Sequence, residues 1–367
     1  MLRLERKQKL TKNSELYGKP KLKVVLYGAG WMGSSITQLL IKKKGVEIVG
    51  AVDSSPSKVG QDLGSIMGTD KPLGVVVTND AAKLLSEVKP DVVVHATSSF
   101  LKDVFPQLEE IVKHGVNVVS TCEELSYPYV SSSDLAAKLD ELAKKHGVTV
   151  LGTGINPGFV MDALPITLTS VCQEIRRIQV ERVMDAAGRR APFQKKIGAG
   201  LSVDEFREKI AGKQITGHVG LEQSVAMIAD ALRWNLQAVE IGVVEPVVAE
   251  EPVESKAIKV ETGKVAGLKQ SVRGIMDGKP VITLLFKAYI GAEEEYDSIT
   301  IEGTPSIHQK ISPCVHGDLA TAAMIVNSIP KVINAEPGLK TMKDLPVPSA
   351  VLEDIRLYVD SFISRNA

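Results

Sequence analysis

Regular patterning starts at Lys23-Val24-Val25-Leu26-Tyr27, an apolar, β-rich run that stops directly at glycine, as a buried parallel strand feeding a tight turn should. The segment after it repeats apolar positions at spacings of three and four, so a helix is predicted with Ile36, Leu39, Leu40 and Ile41 inward. A second strand at 46–52 closes on Asp53. The alternation continues with strands at 75–77, 91–96, 116–120 and 148–151, and with amphipathic helices at 105–114 and 134–146. Strands alternating with helices through residue 155 predict an α/β fold, a Rossmann doubly wound parallel sheet with right-handed crossovers.

The texture changes after Gly158. A strand-like run at 175–183 leads into a basic, glycine-containing stretch, then a long helix around 221–234 and strands near Val243 and at 281–289. Long β runs grouped together predict a second, α+β domain with an open, largely antiparallel sheet. An alanine-rich amphipathic segment at 318–328 is expected to return to the first domain. The organisation read from this is a lysine-rich arm at 1–20, a Rossmann domain at 21–157, a substrate and dimerisation domain at 158–314, and C-terminal helices at 315–367.

Composition narrows the class. The 367 residues carry 44 basic and 44 acidic side chains, so no global field favours nucleic acid or an anionic membrane. Small molecules and a second copy of the chain, as a homodimer, are the expected partners. Cys122, Cys172 and Cys314 are an odd number without a CxxC pair, which argues against a disulfide framework and against a metal site. With no membrane-length apolar window and no signal-peptide pattern, a cytoplasmic protein is expected.

Gly28-Ala29-Gly30-Trp31-Met32-Gly33 is GxGxxG, placed between a strand and a helix, with Asp53 twenty residues beyond Gly33. Glycine permits the tight turn and the close approach of backbone to pyrophosphate, whose charge sits at the helix N-terminus. Asp53, followed by Ser54, is expected to accept hydrogen bonds from the adenosine ribose. The carboxylate favours NAD, while Ser54, Ser55, Ser57 and Lys58 leave room for NADP. Ala96, Thr97 and Ser98 end the fourth strand on the same edge, where small side chains let the nicotinamide half lie against backbone; buried His95 reads as a packed, hydrogen-bonded histidine.

Ligands of open α/β sheets bind beyond the carboxyl ends of the strands, which draws attention to two further places. The fifth strand runs into Cys122-Glu123-Glu124, and two adjacent carboxylates beside a cofactor and an apolar strand suit general acid or base work by raising one carboxyl pKa. The same pair also fits an ordinary helix N-terminal turn, and in extended chain only one of the two can face a substrate. Cys122 lies on the cofactor path and reads as a packed thiol rather than a nucleophile. The second place is the turn Gly152-Thr153-Gly154-Ile155-Asn156-Pro157-Gly158, where Pro157 is expected in the first turn of a helix and the Asn156 amide is expected to hold the carboxamide or a polar group of the substrate. Farther on, Arg189-Arg190 and Lys195-Lys196 flank Pro192-Phe193-Gln194: a basic pair clamps a carboxylate bidentately, or forms a solvated face.

In the segments YGAGWMG (27–33), VVSTCEELSYPY (118–129), GTGINPGFVMDALP (152–165), RRAPFQKKIGAG (189–200) and TGHVGLEQS (216–224), the chain resembles the 2,4-diaminopentanoate dehydrogenases of ornithine fermentation and related NAD(P)-dependent amine dehydrogenases, distant relatives of dihydrodipicolinate reductase. The resemblance implies oxidative deamination of a secondary-carbon amine with release of ammonia. It maps the family's catalytic glutamate onto Glu123 or Glu124, with Glu123 preferred because it stands where homoserine dehydrogenases carry a catalytic lysine. Pro157, Arg189 and His218 are the residues expected at the substrate. The histidine pair and PSGTA-like segment of dihydrodipicolinate reductases are absent from the sequence, which disfavours that activity. A dehydrogenase acting on a hydroxyl or imine of a related amino acid, and a non-catalytic NAD-binding regulator, are the competing readings.

Overall fold

The structure, a computed structural model, describes residue 16 and residues 18–363, so most of the expected N-terminal arm lies outside the described residues. The chain divides into two compact units: one runs to Gly154 and resumes at Asp318, and the other is Ile155–Gly317. No helix among the described residues is long and apolar enough to cross a membrane.

The first unit holds β1 (Leu22–Tyr27), β2 (Val46–Val52), β3 (Val77–Thr78), β4 (Val92–His95), β5 (Asn117–Ser120) and β6 (Thr149–Gly152). They form a parallel sheet in the order β6-β5-β4-β1-β2-β3, extended beyond β6 by the strand Gly338–Lys340. The order reverses between β1 and β4, which opens a crevice at their carboxyl ends. Val24, Val25, Val92, Val93, Val94, Val118, Val119 and Val150 are fully buried, as strands covered on both faces require. The helix Leu101–Lys113 buries Leu101, Val104, Phe105, Leu108, Ile111 and Val112, each contributing on the order of 1.5–3 kcal/mol of apolar burial. In the helix Trp31–Leu40 the buried positions are Gly33, Ile36, Thr37 and Leu40, whereas Ile41 is 43% exposed because the helix has ended before it. β3 begins two residues later than its apolar run, because the Val75 amide donates to Asp62 instead of to the ladder.

The second unit contains β7 (Glu174–Asp185), β8 (Ala238–Ile241), β9 (Glu245–Val248), the short pair β10 (Val253–Glu254) and β11 (Lys259–Val260), then β12 (Val265–Met276), β13 (Lys279–Tyr289), β14 (Tyr296–Thr304) and β15 (Ile307–Ile311). Its main sheet runs β15-β14-β7-β13-β12-β8, with β9 also on β12. All pairs are antiparallel except β7 with β13. Ile178, Val180, Val272, Ile282, Leu284, Ile299 and Ile301 form its buried face, on which the helix Leu221–Ala231 packs with Leu221, Val225 and Ile228. Arg182 occupies one of these inward positions. It is 1% exposed and is matched by Asp297 on β14 at 2.6 Å, an ion pair that satisfies a charge otherwise too costly to bury.

Candidate active site

Where β1 ends, Gly28 adopts φ +102°, and its N–H donates to the Val52 carbonyl at 2.8 Å. A Cβ at Gly28 would collide with the Ala96 carbonyl oxygen, and one at Gly33 with the Gly28 carbonyl oxygen, whereas a Cβ at Gly30 would enter open space. The first and third glycines therefore close the turn and seat the helix against it. Gly30 instead leaves the helix N-terminus bare: it is the N-cap and supplies no capping side chain. A bare N-terminus of this kind fits a pyrophosphate. The cleft beside it, ≈ 290 Å³, is lined by Gly28, Gly30, Asp53, Ser54, Ala96 and Thr97 among others. Trp31 is 55% exposed at its rim and Met32 half-buried.

Asp53 reaches this cleft already engaged. Oδ2 accepts from the Ala29 N–H and from Lys58 Nζ, at 2.8 and 2.9 Å, and Oδ1 accepts from the Ser55 N–H at 2.8 Å. Burial pushes its carboxyl up, but the Ser55 amide, the Lys58 ammonium and the Ala29 amide outweigh that and hold it below the usual carboxylate range. Lys58 thus neutralises the charge that was expected to repel a 2′-phosphate.

His95, at the end of β4, is fully buried. Nδ1 lies 2.8 Å from Ser120 Oγ, and Nε2 lies 2.8 Å from Gln107 Oε1 and 3.1 Å from Thr97 Oγ1. Burial lowers its pKa to about 4, so it is neutral and ties β4 and β5 to the helix Leu101–Lys113. Ser98, expected beside the nicotinamide, donates its hydroxyl to Asp103 at 3.0 Å.

The two glutamates separate clearly. Glu124 Oε2 accepts from the Leu101 N–H at 2.7 Å and so caps the helix Leu101–Lys113. Glu123 is half-buried one residue earlier, with helical φ and ψ; its carbonyl accepts from the Ser126 hydroxyl and amide at 2.7 and 3.1 Å. The turn that carries both is pressed against the end of β6, where any side chain at Gly152 would collide with the Leu125 backbone. Cys122 turns its thiol away from the cleft into the core, where it donates to the Ser99 carbonyl at 3.3 Å. Burial, reinforced by the Glu123 and Glu124 charges, raises its pKa to about 12, which keeps the thiol protonated.

In the second unit Pro157 does not open a helix. It follows a cis peptide bond in an irregular turn, and the next helix starts only at Ala163, capped by Asp162. The reason is Asp162 itself: fully buried, it accepts from the Gly158 and Ala163 amides at 2.8 and 2.6 Å and from the Ser224 hydroxyl at 2.7 Å, gathering the turn around one carboxyl. Asn156 Nδ2 is 2.7 Å from His218 Nε2. An amide nitrogen only donates, so Nε2 is the acceptor and the ring proton sits on Nδ1. The ring stacks on Phe286 at 4.5 Å between centroids. Burial, with the Lys196 and Arg182 charges, lowers the His218 pKa to about 3 and keeps it neutral. Asn156 Oδ1 is buried without a hydrogen-bond partner among the described residues. Arg189, half-buried just past β7, has Nη1 2.9 Å from both ring nitrogens of His316.

Sequence reasoning did not single out Asn79, Gln107, Asp162 or Phe286. Asn79 directly follows β3, so the strand-end rule was enough to find it. Phe286 reaches His218 from a strand 68 residues away, and no local signal announces that.

Residues 159–361 match the model of the 2,4-diaminopentanoate dehydrogenase C-terminal domain, and residues 22–151 match that of the dihydrodipicolinate reductase N-terminus. The chain is 38% identical to a 2,4-diaminopentanoate dehydrogenase of Acetoanaerobium sticklandii over 92% of this chain and 96% of that protein. It is 22% identical to an amine dehydrogenase of Streptomyces virginiae over 90% and 98%. Among solved structures it is similar to an amine dehydrogenase from Mycobacterium smegmatis, at 31% identity and a TM-score of 0.79, covering 91% of this chain and 99% of that one. The chain belongs to the 2,4-diaminopentanoate dehydrogenase family of pyridine-nucleotide oxidoreductases.

Proposed function

We propose that this protein is an NAD(P)-dependent amine dehydrogenase that deaminates 2,4-diaminopentanoate oxidatively to 2-amino-4-oxopentanoate and ammonia, and runs in reverse as a reductive amination. The observation that carries the reading is the near full-length likeness to a 2,4-diaminopentanoate dehydrogenase. Residues 21–157 hold the dinucleotide and 158–314 the substrate, while residues 315–367 return to the first sheet.

The nicotinamide, when bound, supplies the hydride acceptor for the amine-bearing carbon. Glu123 acts next. It takes a proton from the water that attacks the iminium carbon and returns it to the departing nitrogen, and the second proton of that water leaves with the nitrogen too, so that iminium and water become ketone and ammonium. Glu124 is committed to the Leu101 amide, which supports Glu123 as the base. Asn156 Oδ1, an acceptor without a partner among the described residues, suits the carboxamide of the cofactor or the substrate ammonium. Arg189 and His218 Nδ1–H are the donors for the substrate carboxylate, and Pro157 lines that end.

Gly28, Gly30, Trp31, Met32 and Gly33 hold the pyrophosphate; Ala96, Thr97 and Ser98, with the backbone of Cys122, lie along the nicotinamide half. Asp53 and Ser54 favour the ribose hydroxyls of NAD, and Lys58 beside Asp53 supports acceptance of NADP. We read the molecule as a cytoplasmic homodimer. Exposed Ile241 at the end of β8, Val243 just after it and Val248 on β9 are the apolar positions that support self-association. The test is product stoichiometry with 2,4-diaminopentanoate. One ammonia per reduced nucleotide is expected; reduction without ammonia would mean that oxidation stops at the imine, and no reduction at all would transfer the reading to a hydroxyl substrate.

A further inference from the structure

The loop that leaves β7 is organised by one amide. Gln194 is 1% exposed, although it lies in a segment flanked by Arg189, Arg190, Lys195 and Lys196. Its Nε2 is 2.9 Å from the Ala186 carbonyl oxygen, 3.2 Å from that of Ala187 and 2.8 Å from that of Arg189. Its Oε1 accepts from the Ser255 hydroxyl at 2.7 Å. Ser255 is itself fixed, its hydroxyl oxygen accepting from the Ala257 and Ile258 amides at 3.1 and 3.0 Å. The start of the loop is pinned separately by Asp185, whose Oδ1 accepts from the Ala187 and Gly291 amides at 3.0 and 3.1 Å.

A buried amide that gathers the carbonyls of Ala186, Ala187 and Arg189 does more than fill space. An apolar residue of the same size would leave the Ala187 and Arg189 carbonyls turned inward without this donor and the Ala186 carbonyl with the Arg189 amide alone, and the loop would re-form to reach water. Arg189 is the residue whose side chain this loop presents, and its guanidinium already lies against His316. Lys196, on the far side of Gln194, is close enough to bias the titration of half-buried His218, so the basic segment and that histidine belong to one locality.

We infer that Gln194 is a positioning residue for the recognition of the substrate carboxylate: by holding the carbonyls of Ala186, Ala187 and Arg189, its amide aims the Arg189 guanidinium at an amino-acid rather than a simple amine substrate. The inference rests on the amine dehydrogenase reading and adds the origin of its selectivity for a carboxylate. No catalytic contact by Gln194 is involved.

The experiment measures kcat and KM for 2,4-diaminopentanoate and for a carboxyl-free 2-aminoalkane in wild type, Gln194→Met, Arg189→Met and the double variant. Gln194→Met is expected to raise KM for the diamino acid roughly 10-fold with kcat within about 2-fold, and to leave kcat/KM for the 2-aminoalkane unchanged. In the Arg189→Met background it is expected to add nothing further, because both changes remove one interaction. Equal losses on both substrates, or additive effects in the double variant, overturn the inference. Should Gln194→Met not fold, Ser255→Ala decides. It frees the amide from its brace, is expected to raise the same KM about 3-fold, and overturns the inference if KM stays at the wild-type value. The two levels of the argument fail differently. A wild type that releases no ammonia from either amine sinks the reaction class, and the positioning role with it. A wild type that deaminates the diamino acid, with an Arg189→Met defect but an independent Gln194 effect, sinks the positioning role alone.

Discussion

Glu124 accepts a 2.7 Å hydrogen bond from the Leu101 amide and is therefore the member of the Glu123–Glu124 pair that caps the helix Leu101–Lys113. The adjacent carboxylates therefore have separable roles. Glu124→Ala leaves a helix N-terminal donor without its acceptor and is expected to destabilise the protein by about 1–2 kcal/mol while much of kcat survives. Urea denaturation, read alongside turnover, checks this. A Glu124 variant that is fully stable and dead would reverse the assignment.

The turn carrying these glutamates rests on Gly152, where a side chain would strike the Leu125 backbone. Gly152→Ala is expected to shift the turn, lower kcat at least about 10-fold and cost about 1–3 kcal/mol of stability, with nucleotide affinity within about 2-fold of wild type. Fluorescence titration with NADH separates the two effects.

Lys58 lies 2.9 Å from Asp53, at the position proposed to meet the adenosine ribose. Lys58→Met removes the only cation bonded to Asp53 among the described residues and leaves a carboxylate facing any 2′-phosphate. NADP affinity is expected to fall roughly 10-fold or more, and NAD affinity to change little. Equal losses for both nucleotides would assign Lys58 a general role.

Acid sensitivity follows from His95. Its folded-state pKa, about 4, lies below the unfolded value near 6.5, so between these values the unfolded chain binds the extra proton. The stability tied to the neutral ring is complete above about pH 6.5 and is lost as pH falls towards 4, a change on the order of 3 kcal/mol. The urea midpoint of the wild type should therefore drop between pH 7.5 and pH 5, and His95→Gln should lose part of that drop. An unchanged pH dependence in the variant would count against a neutral buried His95.

The parallel sheet was legible because β1, β4 and β5 are buried on both faces and read as unbroken apolar runs, and because Gly28, Gly30, Gly33 and Asp53 keep a spacing tied to one backbone geometry. Asp53 and Lys58 were both legible as residues beside the nucleotide, but their pairing was not, because only the fold brings the ammonium onto the carboxylate. Pro157 was misplaced because proline marks helix starts and irregular turns alike, and what distinguishes them here is Asp162 closing on Gly158. Residue patterning alone did not separate Glu123 from Glu124, and only the resemblance favoured Glu123, since the amide that engages Glu124 lies 23 residues away. Long-range pairings of this kind, including Arg182 with Asp297 and His218 with Phe286, leave no periodic trace in the chain.

The central claim is an amine dehydrogenase with Glu123 as its base, and the most direct measurement follows reduced nucleotide and ammonia together, with 2,4-diaminopentanoate as substrate, in wild type and Glu123→Gln. The account predicts equal amounts of both products from the wild type. It also predicts a loss in kcat of at least about 100-fold in the variant, with nucleotide binding intact. A Glu123→Gln enzyme that releases ammonia at the wild-type rate, or a wild type that binds the nucleotide and produces neither product, would contradict it.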